Sequence, residues 1–208
     1  MRSEAIVVAP VRARAEDDRA RLGFELGSDT FYGSLARIGG NATSAGLVGN
    51  VGENLRIGAR LSQSFSLGAM GGYQWLSVEN STSYASGTAI SITVSASAWE
   101  VGVFGRYLAQ FGIFEVGILS GALYGHVASS LTGVSAVDSA TASVTVHYFV
   151  LPVTPVIAFH VTRGFEIGPS VPLEIWVPLA SSTSVPGVSL SPGVMMHWGV
   201  GVTLNSTF

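Results

Sequence analysis

Apolar residues alternate with small or polar ones over most of this chain, and the alternation is cleanest at its end. Reading every second residue from Val194 gives Val194, Met196, Trp198, Val200, Val202, Leu204, Ser206 and Phe208. Between them fall Met195, His197, Gly199, Gly201, Thr203, Asn205 and Thr207. A period of two with unlike faces marks a β-strand. Strands of globular sheets usually run about five or six residues, so this one is long. It suits a strand tilted across a bilayer, which needs about 9–11 residues in the hydrocarbon. One face is greasy and the other is small or polar, the polarity of a transmembrane β-barrel with lipid outside.

The same pattern predicts seven earlier strands. Leu22, Phe24 and Leu26 share the outer face of the first, with Gly23, Glu25 and Gly27 inside. Its phase blurs at Phe31-Tyr32, which predicts a bulge or an aromatic girdle position. The second runs from about Gly46 to Leu61 with Asn54, Arg56, Gly58 and Arg60 inward, and a tight turn at Ser62-Gln63-Ser64 follows. The third carries Phe65, Leu67, Ala69, Tyr73 and Trp75 outward, ahead of a Ser/Thr-rich loop over 79–88.

A turn at Gln110-Phe111 is predicted to join strands four and five, pairing Arg106 with Glu115, Phe104 with Gly117, Gly102 with Leu119 and Glu100 with Gly121. That register sets large inward residues against glycine and opposes unlike charges. A polar loop over 129–140 precedes strand six, about Thr141 to His160. Strand seven follows a turn at Thr162-Arg163-Gly164, with Phe165, Ile167, Val171, Leu173, Ile175, Val177 and Leu179 outward and Glu166, Gly168, Ser170, Glu174 and Trp176 inward. Turns at 62–64, 109–112 and 161–164 alternate with loops at about 38–45, 79–88, 129–140 and 181–191. Short turns on the termini's side and longer loops opposite place both termini in the periplasm.

Composition agrees with a distributed apolar face. The chain has 208 residues, is 48% hydrophobic and 11% charged, and has a mean hydropathy of +0.47. No run of about 18 apolar residues offers a membrane helix. The 26 glycines fit a narrow lumen in which large side chains need small neighbours. There is no cysteine, which removes disulfides, thiolate nucleophiles and cysteine metal sites. The net charge of −3 gives no case for nucleic acid. Charge concentrates in residues 1–21, where Arg2, Glu4, Arg12, Arg14, Glu16, Asp17, Asp18, Arg19 and Arg21 lie. Residues 1–19 are therefore read as a polar N-terminal periplasmic segment and 20–208 as the barrel. An export signal, absent from this sequence, is expected ahead of it.

A last amphipathic strand ending on an aromatic residue, here Phe208 with Trp198 upstream, resembles the assembly signal of bacterial outer-membrane proteins. With the strand count, the chain from about residue 20 resembles the small OmpA/OmpX-type barrels. The resemblance implies an all-β fold, an eight-stranded antiparallel up-and-down transmembrane β-barrel in the outer membrane of a Gram-negative envelope. It implies outer-membrane lipid and lipopolysaccharide as surroundings and the barrel-assembly machinery as a partner during biogenesis.

Candidate chemistry is sparse. An eight-stranded interior holds side chains or one small ligand. The inward charges Glu25, Arg56, Arg60, Glu100, Arg106, Glu115, Glu166 and Glu174 are expected to neutralise one another, since unpaired charge is costly there. A hairpin centred near Ala136 sets His126 opposite His147, with Asp138 as the nearest loop carboxylate. Two histidines can begin a metal site, but the plainer reading is two rim histidines. His197 and Glu174 fit an interior hydrogen bond. No metal or cofactor is expected.

Pro152, Pro155, Pro169, Pro172 and Pro178 fall in strands six and seven, where proline cannot donate to the ladder. Local bulges explain them. The rival reading is a lateral seam at Pro152, Pro155, Pro169 and Pro172 that admits lipid, and lipid A palmitoyltransferase barrels resemble this in using prolines to weaken pairing. Their catalytic residues do not align here. The His-x-Ser of lipid A deacylase barrels is missing too, since Val127-Ala128-Ser129 follows His126. The functional expectation is a non-catalytic envelope role in surface interaction, integrity or limited small-solute passage. A lipid-modifying enzyme and a narrow channel are the alternatives.

Overall fold

The computed structural model describes residues 23–38, 48–83, 89–134, 139–162, 164–186 and 191–208. The expected N-terminal segment lies outside them. The strands are β1 (Gly23–Ile38), β2 (Val48–Ser62), β3 (Phe65–Ser83), β4 (Ala89–Phe111), β5 (Phe114–Val134), β6 (Ser139–Thr162), β7 (Phe165–Ser170), β8 (Leu173–Thr183) and β9 (Val194–Thr207). Neighbours pair antiparallel in chain order, and β9 closes the ring on β1.

β7 and β8 are two halves of one stave. Glu166 pairs with His160 and Glu174 with Pro152 in a single register against β6, and Glu166–Asn205 and Glu174–His197 share one register against β9. The barrel thus has eight staves. Its stagger follows from the paired residues. The path Gly27, Arg56, Met70, Gly102, Leu123, Val150, Trp176 and Met195 returns to β1 at Arg37, ten residues beyond its start. Such a shear tilts the strands and fixes the width of the lumen.

Side chains alternate as the sequence reading expects. On β9, Trp198, Val200, Val202 and Leu204 face out, while His197, Thr203 and Asn205 are buried. On β4 the outward row from Tyr107 to Trp99 is bounded by aromatic rings and spans about nine residues, the hydrophobic thickness a stave must cross. Among the described residues no helix is long and apolar enough to cross a membrane.

Three details differ from the expectation. First, β1 keeps one register past Phe31-Tyr32 on both sides, with no bulge. Phe31 simply points inward, 2% exposed, into space left by Gly52 and Gly201. Second, the β4–β5 turn is Gly112-Ile113, not Gln110-Phe111. Gly112 has φ +66°, and glycine is the residue that accepts a positive φ at the first central position of a two-residue hairpin. The register therefore moves: Gln110 opposes Glu115, Arg106 opposes Leu119, Phe104 opposes Gly121, and Glu100 opposes Gly125. The shift is even, so the faces survive although the pairs do not. Third, much of the loops expected at 79–88 and 129–140 is strand, since β3 runs to Ser83, β4 starts at Ala89, β5 reaches Val134 and β6 starts at Ser139. Thr, Val and Ile favour pleated backbone, and the alternation there is turned round: Ser91, Thr93 and Ser95 alternate with Ile90, Ile92 and Val94, and Ser143 and Thr145 with Val144 and Val146, so no greasy outward row announces a strand.

Candidate functional site

The lumen is divided by height. Toward the short turns lies the charge network. Arg60 on β2 reaches across to Glu115 on β5 (2.5 Å) and Glu166 on β7 (2.6 Å). Arg106 on β4 meets Glu25 on β1 (2.9 Å) and Glu166 (3.2 Å). Arg56 pairs with Asp29 and donates to Thr203 (3.0 Å) and Asn205 (2.9 Å). His160 Nε2 lies 3.3 Å from Glu115. Unlike charges do face one another here, but Arg106 and Glu115 are not a pair. Glu115 belongs to Arg60, and Arg106 to Glu25 and Glu166. Asp29 joins the network from an inward position of the first strand that the sequence reading missed, although its parity with Glu25 and Gly27 signals it.

Glu115, His160 and Glu166 bring potential ligand atoms within 4.8 Å of one another. Arg60 bonds both carboxylates, so its guanidinium already fills the position a cation would take.

Higher up, Glu174 Oε2 gathers His197 Nδ1 (2.9 Å), Trp176 Nε1 (3.0 Å) and Gln74 Nε2 (3.2 Å). Asn50 closes the ring by donating to Gln74 (2.8 Å) and lying 2.9 Å from His197 Nε2. The expected Glu174–His197 contact is therefore an interior hydrogen bond within a larger set. Glu100 is buried nearby, and the Asn54 amide donates to it at 3.2 Å.

Between these polar groups the inward positions, mostly of β3 to β6, also carry an apolar cluster, which the charge-centred expectation missed. Met70, Leu76, Phe104, Leu108, Leu119, Leu123, Val150 and Trp176 form one buried cluster. Glycines make room for the large members: Gly125 lies under Trp176 and Gly121 beside Phe104. Side chains thus fill the barrel.

The proline-bearing staves carry a gap. Along β6, pairing with the next stave lapses between Pro152–Glu174 and Val156–Ser170, leaving Val153, Thr154 and Pro155 unpaired on that side. Opposite them β7 stops at Ser170 and β8 resumes at Leu173, and the stave stays tied to β9 by Gly199 N donating to Pro172 O (3.0 Å). Behind the gap is a cavity of about 10 Å³ lined by Arg56, Arg106, Thr154, Pro155, Pro169 and Ser170. That is about one water's room. Pro178 sits beside the register shift between His147 and Tyr148.

On the outer wall, His126 and His147 pair directly. Asp138 lies outside the described residues. Trp198 and Phe208 both face outward, 43% and 71% exposed.

No protein-family model matches the sequence, and no curated protein matches it. Solved structures do match. Neisserial surface protein A aligns over 89% of this chain and 97% of its own, with 11% identity and a TM-score of 0.52. A major outer membrane protein of Thermus thermophilus aligns over 88% and 99%, with 13% identity and a TM-score of 0.51. These likenesses show the fold, a small β-barrel of the kind solved for outer-membrane proteins.

Proposed function

We propose that the protein is a non-catalytic envelope barrel that acts at its outer surface and through its stability in the bilayer, not through its lumen. The filled interior carries this reading. Arg60 and Arg106 bridge opposite walls, an apolar cluster packs between the polar groups, and the cavity beside Arg56 and Arg106 takes about one water. Of the three roles open at the sequence level, surface interaction and integrity suit such a plug, and small-solute passage does not.

The surface reading draws on strand length. β3, β4, β5 and β6 have 19, 23, 21 and 24 residues, against 16, 15 and 14 in β1, β2 and β9. Beyond the Trp99–Tyr124 level these four staves continue as a sheet whose outer face bears Ser95, Ser97, Ser130, Ser143 and Thr145. A shallow groove of about 440 Å³ runs over it, walled by Tyr73 and Trp75. With the turns, the start of β1 and the end of β9 at the opposite end, this extension stands on the cell exterior and those strand ends face the periplasm. Lipopolysaccharide is its first neighbour there, and Trp198 and Phe208 serve assembly.

A lipid-modifying enzyme with side entry at Pro155 and Pro172 gains support from the ladder gap. The cavity behind that gap, about 10 Å³, is far too small for an acyl chain. Purified protein reconstituted in planar bilayers is expected to leave the membrane insulating, with no discrete conductance steps. Steady steps of uniform size that vanish on heat unfolding would overturn the plugged-lumen reading.

A further inference from the structure

The outer wall holds a cluster that neither the filled lumen nor the fold requires. β5 and β6 bring His126 and His147 directly opposite each other, with ring centroids 5.1 Å apart and planes at 60°. Each imidazole is braced by a neighbouring ring, His126 from β4 and His147 from β5. His126 stacks on Trp99 at 5.2 Å and 21°, and His147 stacks on Tyr124 at 5.8 Å and 28°. Tyr124 Oη also lies 2.5 Å from His147 Nδ1. Both histidines are half-buried and belong to the outward row.

We infer that His126 and His147 form an exterior two-histidine site for a divalent transition-metal ion such as Cu²⁺ or Zn²⁺. Metal–imidazole bonds of about 2.0–2.1 Å place a ring centre roughly 3.2 Å from the ion. Two such arms spanning the observed separation meet at close to a tetrahedral angle. When Nδ1–H of His147 donates to the Tyr124 oxygen, Nε2 keeps its lone pair for the metal. That outer hydrogen bond is the usual companion of a ligating histidine.

The donor set selects the ion class. Imidazole suits copper, zinc and nickel, whereas calcium and magnesium require oxygen ligands. The groove above is bordered by Ala128, Ser130, Ser143 and Thr145, so small side chains leave the remaining coordination positions open to water or an exogenous ligand. The level is accessible as well. Outward residues on β5 pass from Ile118 and Ala122 through Tyr124 and His126 to Ala128, Ser130 and Thr132, so the pair sits where the apolar belt ends.

The test is Cu²⁺ titration of the full chain in detergent, followed by calorimetry and electron paramagnetic resonance. One equivalent with a two-nitrogen spectrum is expected. His126→Ala or His147→Ala should each weaken binding at least tenfold, and the double variant should abolish it. Tyr124→Phe should weaken it about tenfold, since it removes only the outer hydrogen bond. Outward positions leave folding intact, which the heat-dependent gel mobility of each variant verifies. Absence of binding by the folded wild type overturns the inference. So does unchanged affinity in the double variant, or loss of binding in a folded His160→Gln variant, which would move the ion to the lumen.

Discussion

Arg60→Met is expected to lower the stability of the folded barrel by about 3–5 kcal/mol, the cost of leaving buried charge without its partner. Its guanidinium lies between Glu115 at 2.5 Å and Glu166 at 2.6 Å, and its side chain is wholly buried. Methionine keeps most of the volume, so the loss reads electrostatics more than packing. Glu166 retains Arg106 at 3.2 Å, but Glu115 keeps only His160. Adding Glu115→Gln to Arg60→Met should therefore recover a substantial part of the loss. The coupling from the double-mutant cycle should fall within about 0.5–3 kcal/mol. Denaturant unfolding in micelles or vesicles measures both quantities. A single-variant loss below about 1 kcal/mol would show that the charge network does not hold the staves together.

Trp176→Ala should cost about 3–5 kcal/mol, as for other fully buried aromatic truncations. The indole is 1% exposed, packs edge-on against Tyr148 at 5.6 Å and donates to Glu174 at 3.0 Å. Its neighbour Gly125 supplies an internal control. A methyl group on Gly125 would lie 2.9 Å from the Trp176 ring and 2.8 Å from Val150. Gly125→Ala in the native background should thus destabilise by about 1–3 kcal/mol through overpacking. In the Trp176→Ala background the ring contact is gone and Val150 can yield into the vacated space, so the effect of the same methyl should shrink. Simple additivity in the same unfolding assay would contradict this packing.

The wall of the barrel is legible in the sequence because alternation along one strand decides which face meets lipid. The β9 phase, the turn at Ser62-Gln63-Ser64 and the His126–His147 and Glu174–His197 pairings all follow from local rules. The β4–β5 register departs from expectation at one point: the hairpin needs Gly112 at its positive-φ position, and a turn centred on Gln110-Phe111 falls two residues early. The ionic partners are hidden for another reason. Arg60 meets residues on β5 and β7, staves that are not its neighbours in the sheet, and sheet pairing carries no information about contacts across a lumen. Phe31 misleads because an inward aromatic beside an outward Tyr32 looks like a phase slip unless its flanking glycines, Gly52 and Gly201, are already placed. The extensions of β4 and β6 escape notice because their alternation, Ile90, Ile92 and Val94 against Ser91, Thr93 and Ser95 and Val144 and Val146 against Ser143 and Thr145, sets Ser and Thr on the outward parity where the wall rule looks for apolar residues.

The arrangement of polarity from lipid to lumen is open to direct measurement, since a chain without cysteine accepts single nitroxide labels. Labels placed one at a time from Met196 to Asn205 in lipid vesicles report collisions with oxygen and with a water-soluble nickel chelate. Oxygen contact should peak at Trp198, Val200, Val202 and Leu204, and Gly199, Gly201 and Thr203 should be shielded from both reagents. Shielding at Val200 and Val202 with chelate contact at Gly199 and Gly201 would contradict a lipid-facing apolar wall around a packed interior.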